Sequence, residues 1–181
     1  MQPRASPGYR FGDLLALARQ DWVRQMSAEL LRAGYADYRI TDAAVMRLLL
    51  QGPLSVGEVA AGLGVTRQAA RKIGRGLEVR GYVLAAPDPD DARRLNATLT
   101  PDGATYAGRI TTAISRLNRR VVARTAPDDL TAIDAMLRSI ITDQDIRRRA
   151  SRIPPPGQAA INDQSPQARR SAATAAPRPF Q

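Results

Sequence analysis

Residues 59–73 decide the fold of this chain, and they read Val-Ala-Ala-Gly-Leu-Gly-Val-Thr-Arg-Gln-Ala-Ala-Arg-Lys-Ile. Two helices that cross steeply need a small residue in the first helix and a glycine in the turn, and Ala60 and Gly64 supply them. Thr66 then provides a side chain that can cap the second helix. Apolar side chains lie where the helices would touch, at Val59, Leu63, Val65, Ala70 and Ile73. The spacing predicts a helix-turn-helix.

The flanking residues complete a winged domain over residues 41–100. Thr41 is a plausible N-cap for a preceding helix that ends at Gly52-Pro53, and Ser55-Val56-Gly57-Glu58 is a capping box that opens the next helix. After the second helix of the motif ends near Arg80, strands are predicted at 82–86 and 95–99, with Leu95, Ala97 and Leu99 on one face. The exposed turn between these strands makes the ribbon a wing.

Three further segments, 11–33, 101–124 and 127–147, carry apolar side chains three or four residues apart. A winged domain of about 60 residues has little surface on which to bury three amphipathic helices. We therefore expect residues 11–40 and 101–147 to form a dimerisation region with a second copy of the chain. Two-fold pairing would present two recognition helices about 34 Å apart to a palindromic site.

When the second helix of the motif is projected at 100° per residue, its side chains fall on two distinct faces. Ala70, Ile73 and Leu77 fall on one side and predict the core face. Basic and amide side chains cluster opposite, and in residues 66–80 five bases, Arg80 among them, stand against the single acid Glu78. A solvated charged face usually mixes signs, so this one favours DNA contact. Near the helix N-terminus Arg67, Gln68 and Arg71 would reach base edges, while Lys72 and Arg75 would meet phosphates.

The predicted wing carries an acidic tip followed by two arginines, Arg93 and Arg94. The Asp91-x-Arg93 spacing lets the carboxylate hold a guanidinium extended toward a narrow minor groove, although an ordinary surface ion pair is the alternative. The predicted DNA-contacting residues are Ser55, Thr66, Arg67, Gln68, Arg71, Lys72, Arg75, Asp91, Arg93 and Arg94.

Composition excludes several classes of chemistry. The 181 residues contain no histidine and no cysteine, so cysteine or histidine metal sites, histidine-based catalytic triads and disulfides are impossible within this chain. We expect the protein to bind no cofactor and no metal and to have no enzymatic activity.

The net charge favours a polyanionic partner, because 27 basic residues stand against 17 acidic residues, a net charge of +10. Lys72 is the only lysine, a bias toward arginine that fits nucleic-acid contact but that genome base composition also explains. No apolar run is long enough to span a membrane, and we expect a cytoplasmic, nucleoid-associated protein.

The two ends of the sequence differ from the middle. Residues 1–10 are expected to be flexible. Residues 148–181 hold six prolines, many alanines and six arginines against one aspartate, which predicts a disordered tail that adds non-specific attraction to DNA.

The sequence resembles the MarR family of bacterial transcriptional regulators over roughly residues 11–147. The most specific parts are Leu63–Gln68, Leu77–Val83 and Asp88–Gly103, which match the family's recognition helix, its exit into the wing, and its wing signature. The resemblance implies first and last helices that interlock with a second subunit, and Arg93 as the minor-groove residue of the wing. Leu95 and Asn96 depart from the family, which often has charged or β-branched residues there.

The resemblance also implies a small aromatic or anionic effector that releases DNA from a cleft beside the winged domain. Trp22, Tyr35, Tyr38 and Arg39 lie near the place where that cleft would fall, although aromatic residues at a helix end are more often packing.

These patterns together predict a mainly α fold with a small β-wing: a winged helix-turn-helix plus interlocking dimerisation helices. The function they favour is a homodimeric regulator, a repressor rather than an activator, that binds a palindromic double-stranded DNA operator. The alternative is an architectural protein that binds DNA with little sequence preference. An enzyme is a poor third, because the acids at residues 88, 90 and 91 sit on an exposed turn with no partner chemistry.

Overall fold

The computed structural model of the chain describes residues 10–87, 95–151 and 153. Between residues 40 and 99 the order is helix, strand, helix, helix, strand, strand, which is the order of a winged helix-turn-helix. The elements are α1 (Phe11–Arg32), α2 (Ile40–Leu49), β1 (Leu54–Ser55), α3 (Val56–Leu63), α4 (Arg67–Val79), β2 (Val83–Pro87), β3 (Leu95–Leu99), α5 (Pro101–Val122), α6 (Pro127–Ser139) and α7 (Gln144–Ala150). The predicted fold class, mainly α with a small β-wing, is confirmed.

The chain divides into two compact units, residues 1–121 and 122–181. In the first unit, one core joins all the helices from α1 to α5. Its fully buried side chains include Met26, Leu30, Met46, Leu77 and Tyr106. No residue of α6 or α7 in the second unit is buried.

The helix-turn-helix forms because both of its helices are capped as the sequence predicts. The Ser55 hydroxyl accepts a hydrogen bond from the Glu58 amide, and the Glu58 carboxylate accepts one from the Ser55 amide, which together make the capping box at the start of α3. Gly64 ends α3 with a φ of 65°, a left-handed conformation that glycine adopts without strain. Thr66 then accepts a hydrogen bond from the Ala69 amide and starts α4.

The sheet contains one strand that the sequence analysis did not predict. The strand order is β1-β3-β2, with Leu54 paired to Ala97 and Val83 paired to Leu99, both antiparallel. Two residues are too few to show an alternating pattern, so β1 has no signal in the sequence. Its effect is to pin the start of α3 to the base of the wing.

The structure corrects three details of the sequence analysis. Arg39, not Thr41, is the N-cap of α2, because Arg39 has extended backbone and Ile40 is already helical. Leu95 is 58% exposed although Ala97 and Leu99 on the same face pack against the core, because Leu95 lies at the outer end of its strand.

The third correction concerns the end of the chain. The predicted helix over 127–147 is two helices, because Asp143 accepts a hydrogen bond from the Ile146 amide and caps a new helix, α7. Helix α7 ends at Ala150, beyond the position 148 at which the predicted tail begins. Residues 1–9, Arg152 and 154–181 lie outside the described residues.

A buried carboxylate joins α1 to α5. Glu29 accepts hydrogen bonds of 2.7 Å from both Arg116 and Arg120, and Arg32 lies 3.3 Å away as a third ion-pair partner. Burial raises the pKa of Glu29, but the hydrogen bonds from Arg120 and Arg116 outweigh it, and the pKa lies below its usual 4.5. The ionised carboxylate is therefore the stable form at this junction.

Gly103 is a position where no side chain fits. A Cβ there would lie 1.8 Å from the Tyr82 carbonyl oxygen, so Gly103→Ala must push α5 away from the backbone that follows α4. We expect a loss of about 1–3 kcal/mol or more in the free energy of unfolding, measured by urea denaturation. Gly108→Ala is the matched control on the same helix, because a Cβ there meets no described atom within 4 Å. It should raise stability by up to about 1 kcal/mol. Equal effects at the two positions would contradict the clash.

Acidification should weaken the Glu29 junction. A carboxyl whose pKa is lower in the folded state stabilises the fold above its unfolded pKa, near 4.5, and that contribution disappears as the pH falls through the folded pKa. We therefore expect the Tm of the wild type to exceed that of Glu29→Gln at neutral pH, and the gap to shrink below pH 4.5. Thermal unfolding followed by circular dichroism between pH 7 and about pH 3 measures it. A gap that does not change with pH would refute the assignment.

Candidate nucleic-acid interface

Helix α4 presents one apolar and one basic face, as the sequence predicts. Ala70 and Leu77 are buried, and Ile73 is partly buried against the same core. Exposed side chains occupy the opposite face, at Arg67, Gln68, Arg71, Lys72 and Arg75. The core face holds the helix and leaves these five groups free to approach a ligand.

The four bases of this face, at positions 67, 71, 72 and 75, are not neutralised by any other described residue. None of them makes an ion pair with any residue of 10–87, 95–151 and 153. Unpaired guanidinium groups keep all their N–H donors available, and an arginine fork matches both phosphate oxygens and the guanine edge. The face is chemically suited to a polyanion with hydrogen-bond acceptors.

The Arg67 side chain reaches from the start of α4 to the start of α3. Its guanidinium passes about 3.6 Å from the point where a Cβ on Gly57 would stand, which places it over the first turn of α3. Ser55 lies at the same place, but its hydroxyl donates to the Glu58 carboxylate at 2.7 Å and acts as a cap. Its contact with DNA stays a prediction, as do those of Thr66 and the face residues.

Arg80 does not belong to the exposed basic face with which the sequence analysis counted it. Its side chain is 16% exposed and turns inward, where it forms ion pairs with Asp37 and Asp42. Projection at 100° per residue places position 80 about 180° from Arg71, beside Ile73, so the helical wheel itself contains the signal. Four bases, not five, remain for DNA on α4.

The wing residues of the prediction cannot be placed in the same way. Asp91, Arg93 and Arg94 lie outside the described residues, and their role stays a prediction. The strands that flank them are paired up to Pro87 and Leu95.

The four predicted effector residues have different surroundings. Trp22, Tyr35 and Tyr38 are partly buried and pack against the core, and the Tyr35 ring lies 4.7 Å from that of Tyr106. Burial, then the charge of Asp42, raises the pKa of Tyr38. Arg39 is exposed at the N-cap of α2. Packing explains much of the aromatic set, and an effector contact there stays a prediction.

The described part of the chain contains neither a metal-binding cluster nor a membrane-crossing helix. No group of three or more acidic, cysteine or histidine side chains there is arranged to hold a metal ion. No helix there combines the length and the apolar character that crossing a membrane requires.

The sequence analysis missed the residues that anchor α4. Asp37, Asp42, Tyr82 and Tyr106 surround its C-terminal end, and none was predicted to matter. Their contacts join residues far apart in the sequence, so no local pattern announces them.

Comparison with known proteins gives structural relatives only. No protein-family model matches the chain, and no curated protein sequence does. Among solved structures, BpsR from Bordetella bronchiseptica, whose DNA binding is regulated by 6-hydroxynicotinic acid, superposes with a TM-score of 0.63 at 22% identity over 79% of this chain and 100% of that one. PcaV from Streptomyces coelicolor, in complex with its natural ligand, has a TM-score of 0.62 at 21% identity over 77% and 96%.

A third structure, a mutant MarR from E. coli complexed with operator DNA, has a TM-score of 0.62 at 18% identity and covers 74% of this chain and 94% of its own. These identities are low, but the overlap includes nearly the whole of each relative. The chain therefore has the winged-helix fold of the MarR-type transcriptional regulators.

Proposed function

We propose that this protein is a homodimeric transcriptional regulator of the MarR family that recognises a palindromic double-stranded DNA operator through α4. The observation that carries the proposal is the exposed face of Arg67, Gln68, Arg71, Lys72 and Arg75 on a helix capped at its start and buried along its other side. Operator DNA in the MarR structure with the same fold supports it. Repression is the simpler outcome, since a bound dimer occludes a promoter.

The side chains on this face divide into two roles. Arg67, Gln68 and Arg71 lie in the first turns of α4, the part of a recognition helix that reaches base edges. Lys72 and Arg75 lie further along, where phosphate contacts position the protein without reading sequence. A DNA regulator needs both.

Dimerisation would cover apolar surface that the single chain leaves in water. Helix α1 exposes Leu14, Leu15 and Leu17 near its start, and α6 exposes Ile133 and Met136. A second copy of the same chain offers matching surface, and two-fold symmetry would set two α4 helices against one palindrome.

Loss of a base-reading side chain should reduce discrimination between DNA sequences. In Arg71→Ala we expect affinity for the preferred duplex, selected from a random pool, to fall by about 1–3 kcal/mol. Affinity for a scrambled duplex should fall far less. Fluorescence anisotropy at one fixed salt concentration measures both.

Two variants complete this experiment. Lys72→Ala should weaken both duplexes alike and reduce the salt slope of affinity by about one. Arg109→Ala, which removes an exposed arginine from α5, should change neither. If Arg71→Ala weakens all sequences equally, base reading by α4 is wrong and the architectural alternative is favoured.

An effector is the second part of the proposal. BpsR responds to 6-hydroxynicotinic acid and PcaV was solved with its natural ligand, which supports a small aromatic acid beside Trp22, Tyr35, Tyr38 and Arg39. The aromatic rings would stack on the ligand and the exposed guanidinium of Arg39 would neutralise its carboxylate.

Trp22 is the only tryptophan, so its fluorescence reports on this region directly. We expect one of a panel of small aromatic acids, 6-hydroxynicotinic acid included, to quench it saturably and to release the selected duplex over the same concentration range. Arg39→Ala should weaken both effects without altering DNA affinity in the absence of the acid. Quenching without release, or no quenching with any member of the panel, would contradict the effector site.

A further inference from the structure

We propose that Arg80 is a positioning residue for DNA reading: it fixes the direction of α4, and so the placement of the base-reading side chains, by binding Asp42 and Asp37. The inference rests on the proposed function and adds to it a residue that touches no DNA. Arg80 stands at the C-terminal end of α4, the end opposite Arg67.

The Arg80 guanidinium ties α4 to two other parts of the first unit. Its Nη1 lies 2.8 Å from the Asp42 carboxylate, in the first turn of α2, and donates to the Asp37 carboxylate at 3.0 Å, in the segment that joins α1 to α2. Its Nε donates to the Gly76 carbonyl at 2.8 Å and holds the side chain against its own helix. The group therefore bridges α4 to the start of α2.

Aromatic rings fix the guanidinium from the side. Its central carbon lies 5.6 Å from the centroid of the Tyr82 ring, within cation–π range. The centroid of the Tyr82 ring lies 4.5 Å from that of the fully buried Tyr106 of α5, and Tyr35, in the segment between α1 and α2, lies against Tyr106. The position of Arg80 is thus set by α2, by the segment that precedes it and, through Tyr82, by α5.

These contacts add a directional constraint to the apolar packing that orients α4. The core face of α4 offers mainly Ala70 and Leu77, and hydrophobic contact is non-directional, whereas hydrogen bonds between charged groups have specific geometry. Helix α4 is about 20 Å long, so a rotation of about 5° at Arg80 would move Arg67 by about 1.7 Å. A displacement of that size breaks a bidentate hydrogen bond to a base.

Asp42 holds Arg80 in place because its carboxylate is buried and needs a cation beside it. It is 2% exposed, and a buried carboxylate without a cation is costly. Any arrangement of α4 that removes Arg80 from Asp42 leaves that charge unpaired, so the pair favours one orientation of the helix over its neighbours.

The chain offers a matched control for this idea. Glu29 is also a buried carboxylate held by arginines, but it joins α1 to α5, and its partners Arg32, Arg116 and Arg120 lie outside α4. Breaking either pair should lower stability. Only the Asp42–Arg80 pair should change how well the protein distinguishes one DNA sequence from another.

The test compares full-length wild type, Arg80→Gln, Arg80→Lys, Asp42→Asn and Glu29→Gln. Kd is measured for the duplex that wild type selects and for a scrambled duplex, at one salt concentration and at a temperature where circular dichroism shows each variant folded. The discrimination ratio is the Kd for the scrambled duplex divided by the Kd for the selected duplex. For Arg80→Gln and Asp42→Asn we expect this ratio to fall about tenfold or more, as for one lost base contact. Affinity for the scrambled duplex and its salt slope should stay the same, since the phosphate-binding side chains remain.

Arg80→Lys keeps the charge but has a single amino group in place of the fork, so it should recover part of the lost discrimination. If Arg80→Gln does not fold, Arg80→Lys takes its place in the comparison. An unchanged ratio in a folded Arg80→Lys and Asp42→Asn, or an equal fall in Glu29→Gln, would overturn the proposal and leave Arg80 a stabilising residue only. The selection experiment on the wild type is done before any variant is tested. If the wild type selects no duplex at all, the proposed function is overturned instead.

Discussion

The structure depends on how closely α5 approaches Gly81 and Tyr82, which lie between α4 and β2. Thr100 donates from its amide to the Tyr82 carbonyl and from its hydroxyl to the Gly81 carbonyl, and the same hydroxyl caps α5 by accepting from the Gly103 amide. Gly103 has no Cβ, so the helix can rest directly on the Tyr82 carbonyl. One short segment, residues 80–82, thereby links the end of α4, the start of β2 and the start of α5.

The net charge of the chain and the local pairing of its arginines give different information about where a ligand binds. The net charge of +10 belongs to the whole chain and says little about where a polyanion binds. Locally, some arginines pair with the buried carboxylates of Glu29 and Asp42, while those on the outer face of α4 form no ion pair with any other described residue. Pairing with a buried carboxylate therefore separates the arginines that build the fold from those available to a ligand.

Much of the winged domain could be predicted because its signals are local. The capping box at Ser55, the cap at Thr66 and the turn at Gly64 each depend on neighbours within four residues, and the 100° periodicity separated Ala70 and Leu77 from the basic face. The same periodicity places Arg80 on the side of Ile73, but its partners Asp37 and Asp42 could not be predicted, because they are about forty residues away in the sequence. The break before α7 was missed because apolar spacing continues through it and only the Asp143 cap marks the new start.

The strand order β1-β3-β2 has a consequence for how the protein behaves at high concentration. Both outer strands are short, two residues in β1 and five in β2, and a proline lies just before the first and at the end of the second, Pro53 and Pro87. Proline lacks the amide that a further strand would need, and short edges give an approaching chain few places to bond. The sheet therefore offers an approaching strand few backbone groups to pair with, so its edges favour the monomeric sheet over edge-to-edge pairing.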